Sequence, residues 1–352
     1  RKLEARETTS LQLVTAYIER ISAYDQKGPA LNAITVLNPK ALERAKQLDQ
    51  ERNKQGARGP LHGIPILIKD NYETADMQTA VGSNVFAGWI PPHDAEIVKR
   101  LRDAGAIILA KTNTHEFAMG FATYGSLFGQ TLNPYATDRI PGGSSGGTAA
   151  AVAANFAPAG FGSDTCGSIR MPASFNSLVG LRSTVGLTSR RGIVPLSHSW
   201  DTGGPLTHNV SDLANIYDVI SGFDPGDPQT AASAGRIPES YTTFLKKDGL
   251  HKQRLGLLMN LLTVDPEDKE VADIIRSAAN VMKQTGAEVI EVNIPGLLEL
   301  MHDDFGGMYT IIADIRTDVN AYLEAHPSAP VKSVADIIKS DEGADPASVA
   351  YK

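Results

Sequence analysis

The chain of 352 residues carries 33 Lys and Arg against 40 Asp and Glu, a formal net charge of −7, with 42% hydrophobic and 21% charged residues. That length and composition suit one large or two ordinary globular domains around a sizeable core, and the acidic balance lacks the basic footprint needed to hold nucleic acid or an anionic membrane surface. A single cysteine, Cys166, excludes an internal disulfide and a cysteine-based zinc cluster, and with no apolar run near ~18 residues and no signal-peptide pattern the expectation is a cytoplasmic protein away from membranes.

The first element is a helix in "TTSLQLVTAYIERISAYD": Leu11, Val14, Ile18 and Ile21 share a face, and Thr9 with Gln12 has capping-box spacing. A second helix in "NPKALERAKQLDQERNKQG" stops at Gly56. The β-branched run "HGIPILIKDN" reads as a buried strand ending at Lys69. Helix "HDAEIVKRLRDAG" then leads into strand "AIILAKTN", an α/β crossover, and "RLGLLMN", "DPEDKEVADIIRSAANVMKQTG" and "AEVIEVNIP" repeat strand, helix, strand. The fold class is therefore α/β with a largely buried sheet. "SGFDPGDPQTAASAGRIP", residues 221 to 238, is either a linker or a surface loop, and "SDEGADPASVAYK" reads as a polar loop.

Residues 120 to 210 are dense in Gly and Ser and poor in periodicity, and loops that long are usually functional. Within them, Gly142-x-Ser144-x-Gly146 matches the nucleophile-elbow pattern, which demands a buried strand before the serine and a helix after it. The helix is there as "TAAAVAANFA". The strand is not, because "NPYATDRIP" holds two prolines, an Asn and an Asp where apolar residues are needed. Ser144 is thus expected on a glycine-rich loop entering a helix, and the Lys-Ser/Thr ending of a nucleotide-binding loop is missing.

Lys69 in "GIPILIKDN", the loop "GGSSGGTAA", and Ser168 in "GSDTCGSIRMPA" followed by "VGLRSTVGL" resemble the amidase signature hydrolases. The separation of the two serines, 168 − 144 = 24 residues, agrees with that family's motif, as do "RGPLHGIP", "AGAIILAKTN" and "SWDTGGPLTHNVSDLA". The resemblance spans about residues 5 to 225, and the tail "DVNAYLEAHPSAPVKSVADII" is similar to free-standing bacterial amidases of the peptide amidase kind. It implies a single amidase signature domain over 1–352: a large mixed β-sheet covered by helices on both faces, with a catalytic core at 60–225 and a helical and strand region at 226–352 that shapes the substrate pocket. Family members normally continue further, so the resemblance also implies that part of the fold lies beyond the chain.

By the same resemblance Ser168 is the nucleophile, Ser144 a relay serine on a cis peptide bond, and Lys69 the terminal base. Serine needs a base to remove its proton, and lysine serves only when neutral, against an ordinary pKa near ~10.4. Burial at the end of an apolar strand disfavours the ammonium form. The resulting reaction is hydrolysis of a carboxylic amide, or of an ester or carbamate as in a urethanase, through an acyl-enzyme. The backbone N–H groups of Thr165, Cys166, Gly167 and Ser168 are the candidate oxyanion donors. Cys166 stands where many relatives have Gly, so its donation requires a negative φ. Asp164 and Arg170 are expected to pair and hold the loop, while Ser145 either donates to the relay or caps the next helix. Met119, Phe121 and Ile193 are the expected apolar pocket residues.

Two rivals remain. A Ser-His-Asp esterase would draw its base from His62, His115, His198 or His208, and the glutaminase subunit of a tRNA-dependent amidotransferase shares all three motifs but hands ammonia to a partner. No H-E-x-x-H or H-x-H spacing suggests a metal, "HDD" at 302 to 304 has no partner motif, and no cofactor is expected. The expected partner is a small amide substrate, with a homodimer as the common oligomeric state.

Overall fold

In the computed structural model, which describes residues 2–262, 266–304 and 307–342, the capping box closes the first helix. Gln12 N–H donates to the Thr9 hydroxyl at 3.1 Å, and Thr9 N–H donates to Gln12 Oε1 at 2.9 Å. Helix α1 (Ser10–Tyr24) buries Val14 and Ile21, and α2 (Ala41–Gln55) buries Ala41, Ala45 and Leu48 before Gly56 turns it off at φ 85°. Both join a cluster containing Leu67, Leu109, Ala150 and Val152.

That cluster covers one face of a six-stranded mixed sheet. The strands are β1 (Ile34–Leu37), β2 (Pro65–Lys69), β3 (Ile107–Thr112), β6 (Ala159–Asp164), β7 (Val179–Gly180) and β8 (Thr202–Thr207), with a small hairpin of β4 (Tyr124–Gly125) and β5 (Gly129–Gln130) between. Their order is β1-β3-β2-β6-β8-β7. β2 is parallel to β3 and β6, whereas β1, β8 and β7 run antiparallel to their neighbours. Strand β2 is buried at every position, as a central strand covered on both faces must be. Helix α4 (Gly146–Ala153) lies on the same face as α1 and α2, while α3 (Glu96–Asp103) brings Ile97 against Gly203 and Tyr72 on the other, and α6 (Val210–Ile220) packs on α3 and β8.

The two middle strands β6 and β8 are not visible in the sequence pattern, because "AGFGSD" and "TGGPLT" carry glycine where apolar side chains would signal a strand. The glycines serve close approach. A Cβ at Gly160 would stand 2.5 Å from the Thr148 methyl, one at Gly162 2.6 Å from Ser145 Oγ, and one at Gly203 2.5 Å from the Tyr72 hydroxyl. The helix and the serine loop therefore rest directly on the strand.

The chain falls into two compact units, Arg1–Ser240 with Ile311–Lys352 and Tyr241–Thr310. Segment 221 to 238 belongs to the first, where Asp227 and Asp224 are buried against Arg190 and Arg191. That unit also holds α5 (Arg170–Phe175), most of α9 (Met308–Ala325) and α10 (Val334–Glu342). The second is a parallel strand pair, β9 (Arg254–Leu258) with β10 (Glu288–Val292), connected through α7 (Lys269–Gln284) and followed by α8 (Leu297–Asp304). Most of the polar tail, from residue 343 onward, lies outside the described residues.

Candidate active site

Lys69 ends β2 with its side chain on the α4 face, and it is wholly buried. Its Nζ lies 2.7 Å from Ser144 Oγ and 2.8 Å from Ser163 Oγ. Burial pushes its pKa down to about 7, against the opposing pull of Asp201 and Asp164. Ser144 precedes α4 on an irregular loop with no strand before it, and the Gly143–Ser144 peptide is cis. Its carbonyl accepts the His115 N–H at 3.0 Å.

Ser168 is 3% exposed, on the turn between β6 and α5. The two serine loops are tied together by Ser145 N–H donating to Ser168 O at 3.2 Å, but among the described residues no hydrogen bond joins Ser168 Oγ to Ser144. Ser145 stands at the N-cap position of α4 without capping it. Its hydroxyl instead donates to Ser163 O at 3.1 Å and accepts the Ser163 N–H at 3.3 Å, because Gly162 lets it sit against β6. Neither role read for Ser145 in the sequence is the one it plays.

Asp164 grips the turn from its base. It accepts Gly167 N–H at 2.8 Å, Ile169 N–H at 3.0 Å and Arg170 N–H at 3.3 Å, and it pairs with the Arg170 guanidinium at 3.1 and 3.2 Å. Burial opposes its charge, but these donors outweigh it and hold the carboxyl below its usual range. The Gly167 N–H is thereby committed to Asp164, whereas those of Cys166 and Ser168 have no hydrogen-bond acceptor among the described residues. The positive φ, 138°, falls at Gly167 and not at Cys166. Thr165 is buried, with its hydroxyl on Asp201 Oδ1 at 2.5 Å.

Of the expected pocket residues, Met119 is 50% exposed and Phe121 has its backbone against Gly143, next to the serine loop. Ile193 is buried and bridged to Tyr72, where it lines a cavity of about 570 Å³ with Arg190, Pro195, Tyr322 and His326. Among the described residues no histidine ring is bonded to either serine: His62 Nε2 faces Leu48 O at 2.9 Å, and His115 Nδ1 accepts the Ala122 N–H at 3.3 Å. Sequence reasoning missed Ser163, Asn71, which donates to Ser163 Oγ at 3.0 Å, and Asp201. The only signal for Ser163 was its place immediately before Asp164 in the second serine motif.

A chain built this way has recognisable relatives. Residues 12–340 match the sequence profile of the Amidase family. The native peptide amidase of Stenotrophomonas maltophilia superposes with a TM-score of 0.91 at 41% identity, over 97% of this chain and 69% of that one. A glutamyl-tRNA(Gln) amidotransferase subunit of Thermoanaerobacter pseudethanolicus is 41% identical over 293 residues, 83% of this chain and 58% of the relative. The corresponding subunit of Thermotoga maritima superposes with a TM-score of 0.73 at 30% identity, over 97% of this chain and 69% of that one. The chain thus spans less than two thirds of the length of the amidotransferase relative from Thermoanaerobacter. The match over most of its length and the mixed sheet with helices on both faces establish that the chain belongs to the amidase family, with the amidase signature fold.

Proposed function

We propose that this chain hydrolyses carboxylic amides through an acyl-enzyme on Ser168, with Ser144 as relay and Lys69 as terminal base. The observation that carries the reading is a wholly buried lysine, its pKa brought down to about 7, at 2.7 Å from the relay serine. On substrate binding the Ser168 hydroxyl closes onto Ser144. As Ser168 attacks the carbonyl carbon, its proton passes to Ser144 and the Ser144 proton to Lys69. The tetrahedral oxyanion is met by the N–H groups of Cys166 and Ser168. The proton then returns along the relay to the leaving amine, and water, activated the same way, releases the acid.

The substrate class favoured is a small linear amide taken by a free-standing enzyme, since the peptide amidase superposes better, at 0.91, than the amidotransferase subunit of Thermotoga maritima at 0.73. The second reading, a glutaminase subunit, is favoured by the 41% identity to the Thermoanaerobacter relative. The rates on a primary peptide amide, an anilide and free glutamine separate the two, and a marked preference for glutamine selects the second. For either, Ser168→Ala is expected to abolish turnover, by about four orders of magnitude or more. Phenylmethylsulfonyl fluoride is expected to label residue 168; a label on 144 would reverse the two serine roles.

A further inference from the structure

The antiparallel register of β6 and β8 pairs Asp164 with Thr202, so the next residues outward, Thr165 and Asp201, face one another where the ladder ends. Asp201 is 5% exposed, and its whole carboxylate is engaged. Oδ1 accepts the Thr165 hydroxyl at 2.5 Å, and Oδ2 accepts Leu196 N–H at 2.8 Å and Ser197 N–H at 3.1 Å. Among the described residues it forms no hydrogen bond with Lys69, Ser144 or Ser168, so it is not placed to move a proton. Its loop is braced from outside by helix α9: Ser197 Oγ donates to Asp314 at 2.6 Å and His198 N–H to Asp318 at 2.6 Å.

We infer that Asp201 is a positioning residue for the reaction proposed above, holding the oxyanion-binding turn through the Thr165 side chain. The turn is clamped twice. Asp164 takes the N–H groups of residues 167, 169 and 170, and among the described residues those of 165, 166 and 168 have no acceptor and stay open to a ligand. Those contacts fix the inner side of the turn but none of them touches its first residue. Thr165 is fixed by Asp201, through a hydrogen bond to a buried carboxylate, a class roughly twice as strong as a neutral pair. Because a misplacement of about 1 Å at a reacting centre can lower the rate on the order of 10²-fold, a slackened first residue is expected to reduce turnover without changing how substrate is held. Thr165→Ser retains the hydroxyl and loses only the methyl, so it separates the hydrogen bond to Asp201 from packing at that position.

The inference rests on the acyl-enzyme reading, and the experiment separates their failures. kcat and KM for a primary amide are measured on the wild type, Ser168→Ala, Thr165→Val, Thr165→Ser and Asp201→Asn, each with its thermal unfolding midpoint. Thr165→Val and Asp201→Asn are expected to lose about 10–100-fold in kcat with KM within about threefold, and Thr165→Ser to stay within about threefold of wild type. Wild-type kcat in Thr165→Val overturns the inference alone, as does an equal loss in the Val and Ser variants, which would assign the role to the methyl group. Turnover that survives Ser168→Ala overturns the function and the inference together. If Thr165→Val does not fold, Thr165→Ala against Thr165→Ser gives the same comparison.

Discussion

Two lysines stand at the same end of adjacent strands, Lys69 as the last residue of β2 and Lys111 as the last but one of β3, both wholly buried, and they leave the sheet on opposite faces. Lys69 on β2 is opposite Thr112, on the α4 side, whereas Lys111 on β3 is opposite Ile68 and emerges on the other. Burial lowers both, Lys69 to about 7 and Lys111 to about 8, so desolvation alone does not distinguish them. Their partners do. Lys111 donates to Tyr72 O at 2.7 Å, Thr79 Oγ1 at 2.9 Å and Gln78 O at 3.2 Å, with Asp70 at 3.6 Å. Three acceptors and a carboxylate match an ammonium with three N–H groups; a neutral amine, with two, would leave one acceptor unmet. Among the described residues Lys69 has two hydrogen-bond partners, both hydroxyls, which suits a neutral amine that donates to Ser163 and presents its lone pair to Ser144. The same residue type is thus a structural cation in one position and a candidate base in the other.

Removing each amine in turn separates the two roles. Lys69→Met is expected to lose activity by about four orders of magnitude while gaining stability, roughly 0.5–2 kcal/mol. The sign follows from the lowered pKa. The unfolded chain holds the proton up to about 10.4, the folded one only up to about 7. The gain is therefore full below pH about 7 and fades as pH rises toward the unfolded value. Melting curves at pH 6 and pH 10 check it, and a loss of stability at both would show Lys69 to be a structural cation like its neighbour.

Lys111→Met is expected to behave in the opposite sense, losing about 3–5 kcal/mol, because Asp70 would be left buried without its cation. Asp70 also accepts the Ala80 and Gly82 N–H groups at 3.3 and 3.2 Å, so the segment that follows β2 loosens with it. Chemical denaturation reads the loss directly, and a variant as stable as wild type would remove the ion pair from the account.

How much of this could be read from the residues differs between fold and site. Helices α1 and α2, strand β2 and the α3–β3 crossover are legible because apolar periodicity and end signals agree: Thr9 and Gln12 open α1, Gly56 closes α2 and Gly105 follows α3. The strands β6 and β8 are not, since the sheet there is built by omission of side chains so that Thr148, Ser145 and Tyr72 can touch backbone. In the site, Lys69, Ser144 and Ser168 stand out as motif residues. Ser163 and Asp201 are single polar residues in glycine-rich strings, and only the sheet register reveals what they face.

Ser163 gives the smallest and most specific test. It accepts an N–H from Lys69 at 2.8 Å and one from Asn71 at 3.0 Å, and in the proposed reaction it anchors the amine while the lone pair takes the Ser144 proton. An N–H of an ammonium is a stronger donor than one of a neutral amine, so this acceptor is expected to favour the charged form, alongside Asp201 and Asp164 and against burial. Removing it in Ser163→Ala is therefore expected to move the acid limb of kcat/KM to lower pH by about one unit, since one unit corresponds to about 1.36 kcal/mol of differential stabilisation. The wild-type limb is expected near pH 7, where Lys69 loses its proton. On the plateau kcat is expected to fall roughly 10-fold, because the amine keeps its basic form but loses its orientation, and general-base positioning contributes on the order of 10²–10⁴ in all. Lys111 lies on the far face and keeps its partners, so the loss of stability is confined to the buried Asn71 N–H that loses its acceptor, about 1–3 kcal/mol. A limb that stays in place while kcat falls would assign Ser163 to packing, and a limb that moves upward would mean that Ser163 stabilises the neutral amine, with its hydroxyl donating to Nζ rather than accepting from it.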